Sequence, residues 1–278
     1  MTAQTVLITG TSTGIGKDAA IAAASAGWNV VATMRDLDRR SVLEDAATTA
    51  GVDLTILQLD VTDNDSTARA VDDTISHFGA LDALVNNAGS AMVGTTELLS
   101  LDDFRSAMEV NFFGVVRMTQ LALPHLRESR GRVLTVSSVG GIVGQPFNDA
   151  YCAAKFAIEG FLESLHPVAA AVGVGVSVIE PAAVASEFVV NAGIDRERDV
   201  AAAGVYSAPL RSYLERSAGS FAAAQPSVEV GELIARTLSV DPLPFRIQSS
   251  AGATAFVSGK LADLDGSVVT GMTAGWIA

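Results

Sequence analysis

Tyr151 and Lys155 stand four residues apart in the run Tyr151-Cys152-Ala153-Ala154-Lys155. On a helix that spacing stacks a phenol beside an ammonium. A phenol titrates near about 10 and donates a proton poorly at neutral pH; a fixed positive neighbour favours the phenolate, and each unit of lowering corresponds to about 1.4 kcal/mol. Such a pair can protonate a carbonyl oxygen while hydride reaches its carbon, or run the reverse reaction on an alcohol. The same spacing occurs on solvated helix faces, so the chemistry depends on what the rest of the chain brings to the pair.

Short β-branched and aliphatic runs predict strands over 5–9, 29–33, 54–59, 81–85, 133–136, 175–179 and 245–248. Between them, periodic stretches predict helices over 14–26, 37–50, 65–78, 101–127 and 150–172. Pro167 should kink or end the last of these, because proline removes a helix hydrogen bond. Apolar strands alternating with helices predict an α/β fold: a doubly wound, Rossmann-like parallel sheet of about seven strands with helices on both faces. Ligands bind such sheets at the carboxyl ends of the strands, where the winding reverses. No repeat, linker or composition break interrupts the chain, so residues 1–278 read as one domain.

The composition narrows the classes of function. Hydrophobic residues make up 49% and charged residues 18% of the chain, which argues for a buried core and against disorder. A net charge of -13 opposes binding to nucleic acid or anionic membrane, since both attract clustered Lys and Arg. No apolar run is long enough to cross a bilayer, and Met1 to Gln4 lead directly into Val6-Leu7-Ile8, so the expected location is the cytoplasm. Cys152 is the only cysteine, and His77, His125 and His166 lack metal-ligand spacing, so no metal is expected.

The strand ends hold the candidate site. After the first strand, Thr9-Gly10-Thr11-Ser12-Thr13-Gly14-Ile15-Gly16 sets three glycines in a turn that opens a helix. Tight backbone geometry, exposed amides and the positive helix end favour a pyrophosphate, making Gly10, Ser12, Thr13, Gly14, Ile15 and Gly16 candidate cofactor contacts; a turn with no ligand is the alternative. The second strand ends Ala32-Thr33-Met34-Arg35, where an acidic residue would normally meet the ribose of NAD. A guanidinium at Arg35 can instead pair with the 2'-phosphate of NADP, with Lys17 adding charge, so NADP(H) is favoured over NAD(H). Asp36 beside it can either neutralise Arg35 or contact a ribose itself. Asp60 and Val61 end the third strand, where the carboxylate can accept from an adenine amino group or cap the next helix. Asn87, Ala88 and Gly89 follow the fourth strand and allow backbone close to a cofactor; Ser138 follows the fifth, thirteen residues before Tyr151.

These residues, in this order and together with Asn111, strongly resemble the short-chain dehydrogenase/reductase family. The resemblance implies that Tyr151 is the acid or base, that Lys155 lowers its pKa and binds the nicotinamide ribose, that Ser138 hydrogen-bonds the substrate oxygen, and that Asn111 anchors a water relay to Lys155. It further implies a homodimer or homotetramer built partly from helices 101–127 and 150–172. After the sixth strand the family usually has Pro-Gly, whereas this chain reads Pro181-Ala182-Ala183-Val184-Ala185-Ser186. Pro181, Val184 and Ser186 still suit a loop beside the nicotinamide carboxamide, with Ser186 replacing the usual Thr.

Residues 183–225, with Phe188, Val189, Tyr206, Leu210, Tyr213, Leu214 and Phe221, read either as a lid over an apolar substrate or as a packed subdomain whose aromatics are core. With the stretch from Ala32 to Asp36, this segment resembles the branch acting on steroids, retinoids and other lipophilic carbonyls. The expected partner is therefore a small carbonyl or alcohol. Competing readings are a sugar-nucleotide epimerase or dehydratase, and a regulator that senses NADP without chemistry. The tail, residues 249–278, can pack on a neighbouring subunit or cover the pocket.

Overall fold

The computed structural model describes residues 3–188, 193–265 and 267–277. Its centre is a seven-stranded, fully parallel sheet. The strands are β1 (Thr5–Thr9), β2 (Asn29–Met34), β3 (Thr55–Gln58), β4 (Ala83–Asn86), β5 (Arg132–Val136), β6 (Gly175–Glu180) and, after a two-stranded excursion, β9 (Arg246–Gln248). They lie in the order β3-β2-β1-β4-β5-β6-β9, so the winding reverses between β1 and β4. This is the predicted doubly wound architecture, with strand ends displaced by one or two residues.

Alternation along β1 explains why both faces are covered. Val6 and Ile8 face a core formed with the Ala-rich helix α1 (Gly14–Ser25), while Leu7 faces a second core. Helices α2 (Ser41–Ala50), α3 (Asn64–Phe78), α4 (Leu101–Met108), α5 (Gly114–Ser129) and α6 (Asp149–Ala170) follow in turn. The second core takes Ala70 and Val71 of α3, Met118 and Ala122 of α5, and Ile158 and Leu162 of α6. One helix was expected over 101–127. Instead α4 and α5 are joined by a π-helical turn, Glu109–Phe113, that carries Asn111. Pro167 does not end α6, which continues to Ala170. The residue lies in the last turn, where Ala171 N still donates to Pro167 O and His166 Nδ1 sits 3.0 Å from Val176 O of β6.

Between β6 and β9 the chain leaves the sheet. The two-residue strands β7 (Val184–Ala185) and β8 (Gln225–Pro226) pair in parallel and close the two ends of this excursion together. Inside it are α7 (Arg196–Ala202) and α8 (Ser207–Ala222). Leu210, Tyr213 and Leu214 are buried with Val200, Ala203 and Phe147 in a small core of their own. The packed-subdomain reading therefore describes most of the segment's aromatic and aliphatic residues; Val189 lies outside the described residues.

After β8, α9 (Ser227–Thr237) packs so closely on α1 that a Cβ at Gly231 would stand 2.6 Å from the carbonyl carbon of Asp18. The tail folds onto its own chain. Ala253 and Val257 of α10 (Ala251–Ala262) and Val269 of α11 (Ser267–Ala274) pack against Val139, Ile142 and Val143, behind the turn that follows Ser138. Trp276 stacks on Phe256 with ring centroids 5.9 Å apart, and the Arg216 guanidinium lies 4.7 Å from the Trp276 ring.

Candidate active site

The glycine turn is held from the neighbouring strand end. Asn87 Nδ2 donates to Thr9 O and Gly10 O, both at 2.9 Å, and Thr9 Oγ1 accepts from the amides of Asn87 and Ala88 at 3.0 Å. Gly10 takes a left-handed φ of 72°, and a Cβ there would come within 2.8 Å of Ala88 Cα. Any side chain at Gly16 would collide with Gly10 O and Asn87 Nδ2. Asn87 thus shapes the turn through its side-chain amide.

Thr13 at the start of α1 makes no side-chain cap, and the first turn contains no acidic residue. The orphan amides of that helix start are left for an anion, which fits the pyrophosphate of a dinucleotide. Ser12, Thr13, Gly14 and Ile15 are half-buried around it. Ser186 borders the same turn, since a Cβ at Gly14 would meet Ser186 Cβ at 3.0 Å. Pro181 O accepts from Val139 N at 3.0 Å, fixing the loop after β6 to the turn after β5.

At the end of β2, Arg35 is exposed and forms no ion pair among the described residues. Asp36 does not neutralise it: its Oδ1 accepts from Asp38 N at 3.0 Å and caps the 3-10 turn Leu37–Arg39. Lys17 is paired with Asp18 at 3.1 Å, which reduces the charge it can add. Asp60 does not cap α3, whose cap is Asp63; instead its Oδ1 accepts from the Thr62 amide and hydroxyl. Val61 is buried in the second core, and its carbonyl accepts from Arg117.

The Tyr151 ring is half-buried and stands beside the Ser138 hydroxyl, both within 3.4 Å of where a Cβ at Gly140 would lie; that hydroxyl accepts from Gly140 N at 3.0 Å. Lys155 is buried one turn further along α6, and its ammonium donates to Val136 O at 3.0 Å, at the end of β5. Nζ lies 5.8 Å from the centre of the Tyr151 ring. Phe188 stands edge-on to that ring, with centroids 5.9 Å apart.

Asn111 is fully buried. Its Oδ1 accepts from Ser90 N at 3.1 Å, and its Nδ2 donates to Ser90 O and Ala107 O at 3.0 Å. A Cβ at Gly89 would lie 2.9 Å from Asn111 Oδ1 and 3.7 Å from Lys155 Nζ, so this glycine stands between the two. Ser90 was not foreseen as the partner of Asn111, although it directly follows the Asn86 to Gly89 run.

Burial pushes the Tyr151 phenol up to about 12, against the lowering effect of Ser138. Lys155 does not reverse this. Burial brings the lysine itself down to about 8, and an amine that has lost its proton at pH 8 carries no charge where a phenol at 12 ionises. The Tyr151 phenol therefore keeps its proton across the neutral range.

Glu159 was missed, although it follows Lys155 by the same four-residue spacing that linked Lys155 to Tyr151. It is buried, and burial raises its carboxyl to about 7; Glu180 adds to that rise, while Ser137, Arg246 and Lys155 oppose it.

The chain matches the pattern of the short chain dehydrogenases over residues 4–197. It is 43% identical to retinol dehydrogenase 8 of Bos taurus over 190 residues, 66% of this chain and 60% of that protein. It is 44% identical to 17-beta-hydroxysteroid dehydrogenase type 1 of Homo sapiens over 187 residues, 65% of this chain and 56% of that protein. The matched region spans less than two thirds of either relative's length. A solved short-chain dehydrogenase from Streptomyces avermitilis superposes with a TM-score of 0.79 at 25% identity, covering 99% of this chain and 98% of that one. With one family pattern accounting for the glycine turn, the serine, the tyrosine and the lysine alike, and the same fold matched from end to end, the chain belongs to the short-chain dehydrogenase family.

Proposed function

We propose that this protein is an NADP(H)-dependent oxidoreductase that interconverts a carbonyl and a secondary alcohol on a lipophilic substrate of the retinoid or steroid kind. The observation that carries the reading is the Tyr151 ring, set beside the Ser138 hydroxyl and flanked by Phe188, on the same sheet edge as the uncapped start of α1. When bound, the nicotinamide supplies or accepts the hydride. Ser138 and Tyr151 hold the substrate oxygen, and Tyr151 gives it a proton in the direction of reduction. Lys155 binds the ribose next to the nicotinamide, and Asn111 anchors the proton route behind it. Phe188 and the two retinol and hydroxysteroid relatives support an apolar substrate.

For the cofactor, an exposed Arg35 with no ion pair among the described residues, and the use of Asp36 as a cap, support NADP over NAD. The assembly we propose is a homodimer or homotetramer through α5 and α6. The purified chain, assayed with NADPH or NADH against retinal, a 17-ketosteroid and a set of polar sugars and polyols, should reduce a lipophilic carbonyl and prefer NADPH. Turnover of the sugars alone would remove the substrate class, and a clear preference for NADH would remove the cofactor assignment. The reading of the chain as a nucleotide sensor requires Tyr151→Phe to leave biological output unchanged.

A further inference from the structure

Ser137 Oγ and both carboxylate oxygens of Glu159 are the buried side-chain atoms, among the described residues, that make no hydrogen bond within the chain. They lie together: a Cβ at Gly141 would stand 2.8 Å from Ser137 Oγ and 3.0 Å from Glu159 Cγ. A buried carboxylate normally has its oxygens satisfied, and an exception calls for a reason. Glu159 is 4% exposed and has charge partners instead of hydrogen-bond donors.

Every packed element contributes to its surroundings. On α6 itself are Lys155 and Glu163; Ser137 directly follows β5; β6 presents Glu180; β9 presents Arg246 and Gln248. Arg246 Nη1 reaches Glu159 at 3.0 Å and Glu180 at 3.3 Å, and Nη2 reaches Glu163. Glu180 is further satisfied by Gln248 Nε2 at 2.9 Å. Glu159 stands one helical turn from Lys155 on α6, and both are buried, so it is the member of this group that links the Arg246 cluster to Lys155.

We infer that Glu159 is a positioning residue that acts through Lys155: its carboxylate, oriented by Arg246 on the opposite strand, sustains the ammonium of Lys155 and so sets the alkaline limit of the reaction. The inference rests on the role of Lys155 in the function proposed above. A carboxylate near a buried ammonium favours its charged form, and neutralising the carboxylate lets the lysine lose its proton earlier. Below pH 7 Glu159 itself takes up a proton and resembles glutamine, so the effect of removing its charge must grow with pH.

The experiment is a pH–rate profile for reduction of retinal by NADPH, using the full chain, Glu159→Gln, Glu159→Asp and Arg246→Met. Glu159→Gln is expected to match the parent at pH 6 and to fall below it on the order of tenfold by pH 9, the size of a one-unit shift of the alkaline limb. Glu159→Asp should lie between them, and Arg246→Met should move the limb the same way. Thermal melting across the same pH range gives a second measurement that does not need turnover: loss of the buried charge should raise the melting temperature above pH 7. A profile that superimposes on the parent's overturns the inference, as does an equal loss at every pH with a lower melting temperature, which is what a merely bracing side chain gives. Should Tyr151→Phe retain full turnover, the functional reading itself falls; if Tyr151→Phe is inactive while Glu159→Gln tracks the parent, only the inference falls.

Discussion

A phenol near 12 and an ammonium near 8 are both protonated at pH 7. In that state Tyr151 has a proton to give, which suits reduction; oxidation of an alcohol needs the phenol to lose it first. Replacing Tyr151 by Phe keeps the ring and its edge contact with Phe188 but removes the acid. The expected result is a fall in kcat of about 10² to 10⁴, the usual worth of a positioned general acid, with NADPH affinity changed by no more than a few-fold. Steady-state kinetics and a fluorescence titration of the reduced nucleotide separate the two. Loss of NADPH binding in parallel with kcat would show that Tyr151 shapes the pocket rather than donating the proton. At the second strand end, Arg35→Ala should raise the KM for NADPH about ten- to a hundredfold, the worth of a charge-assisted hydrogen bond, and leave the KM for NADH nearly unchanged. An equal effect on both cofactors would take Arg35 away from the 2'-phosphate.

Glu159 allows a thermodynamic prediction as well. Its carboxyl is raised from an ordinary 4.5 to about 7, so the fold prefers the neutral acid. The stability it contributes is complete below pH 4.5 and is lost as the pH rises through 7. Glutamine, neutral throughout, should therefore stabilise the protein relative to the parent by about 3 kcal/mol above pH 7 and by nothing near pH 4. Denaturant titrations at pH 4 and pH 8.5 check this; a parent more stable than Glu159→Gln at the higher pH would mean that Lys155 and Arg246 over-compensate the burial.

At the scale of the element, helix α6 carries most of what could and could not be read from the sequence. Its length and the spacing of Tyr151 and Lys155 follow from composition and the helical repeat. The next step along the same stripe, Glu159, obeys the identical rule yet gives no sign of being buried, because a glutamate four residues after a lysine is ordinarily a surface ion pair. Only the arrival of β9, nearly ninety residues later in the chain, turns that position inward and supplies Arg246. The strand ends behaved similarly. The glycine turn was readable because its geometry demands glycine, whereas nothing in the sequence signals that the Asn87 amide braces that turn through Thr9 and Gly10. Asn87→Ala should accordingly loosen the turn, with one buried pair of hydrogen bonds lost at about 1 to 3 kcal/mol and weaker binding of both NADPH and NADH. A variant with unchanged stability and selective loss of one cofactor would contradict that role. The π-helical turn before α5 was hidden for a different reason: periodicity alone does not distinguish it from continuous helix.

For the whole molecule, α6 and the π-helical turn that leads into α5 present apolar side chains to solvent. Phe113 is 46% and Phe156 39% exposed, with Val168 and Val172 exposed near the end of α6. Isolated exposed residues need no explanation, but several on α6 and at the entry to α5, the helices proposed to form the interface, support burial against a second copy. Light scattering of the parent should give a dimer or tetramer, and Phe113→Asp with Phe156→Asp should shift it to monomer at micromolar concentration. An unchanged mass would move the interface elsewhere, and a monomeric parent would remove it.

The pairing of β7 with β8 has a consequence for how such a chain can change over evolutionary time. Val184 meets Gln225 in the register, Gln225 N donates to Ala183 O at 3.0 Å, and the Gln225 side chain also reaches Ser249 and Glu229. Both ends of the intervening stretch are thus stitched to the same point of the scaffold. Once the ends of a loop are joined, lengthening it is inexpensive, each doubling adding about 0.6 kcal/mol of closure entropy. The stretch that brings Phe188 to Tyr151 behaves as a cassette: it can be exchanged, extended or trimmed between these two anchors to suit another substrate, while the nucleotide half of the protein is inherited unaltered.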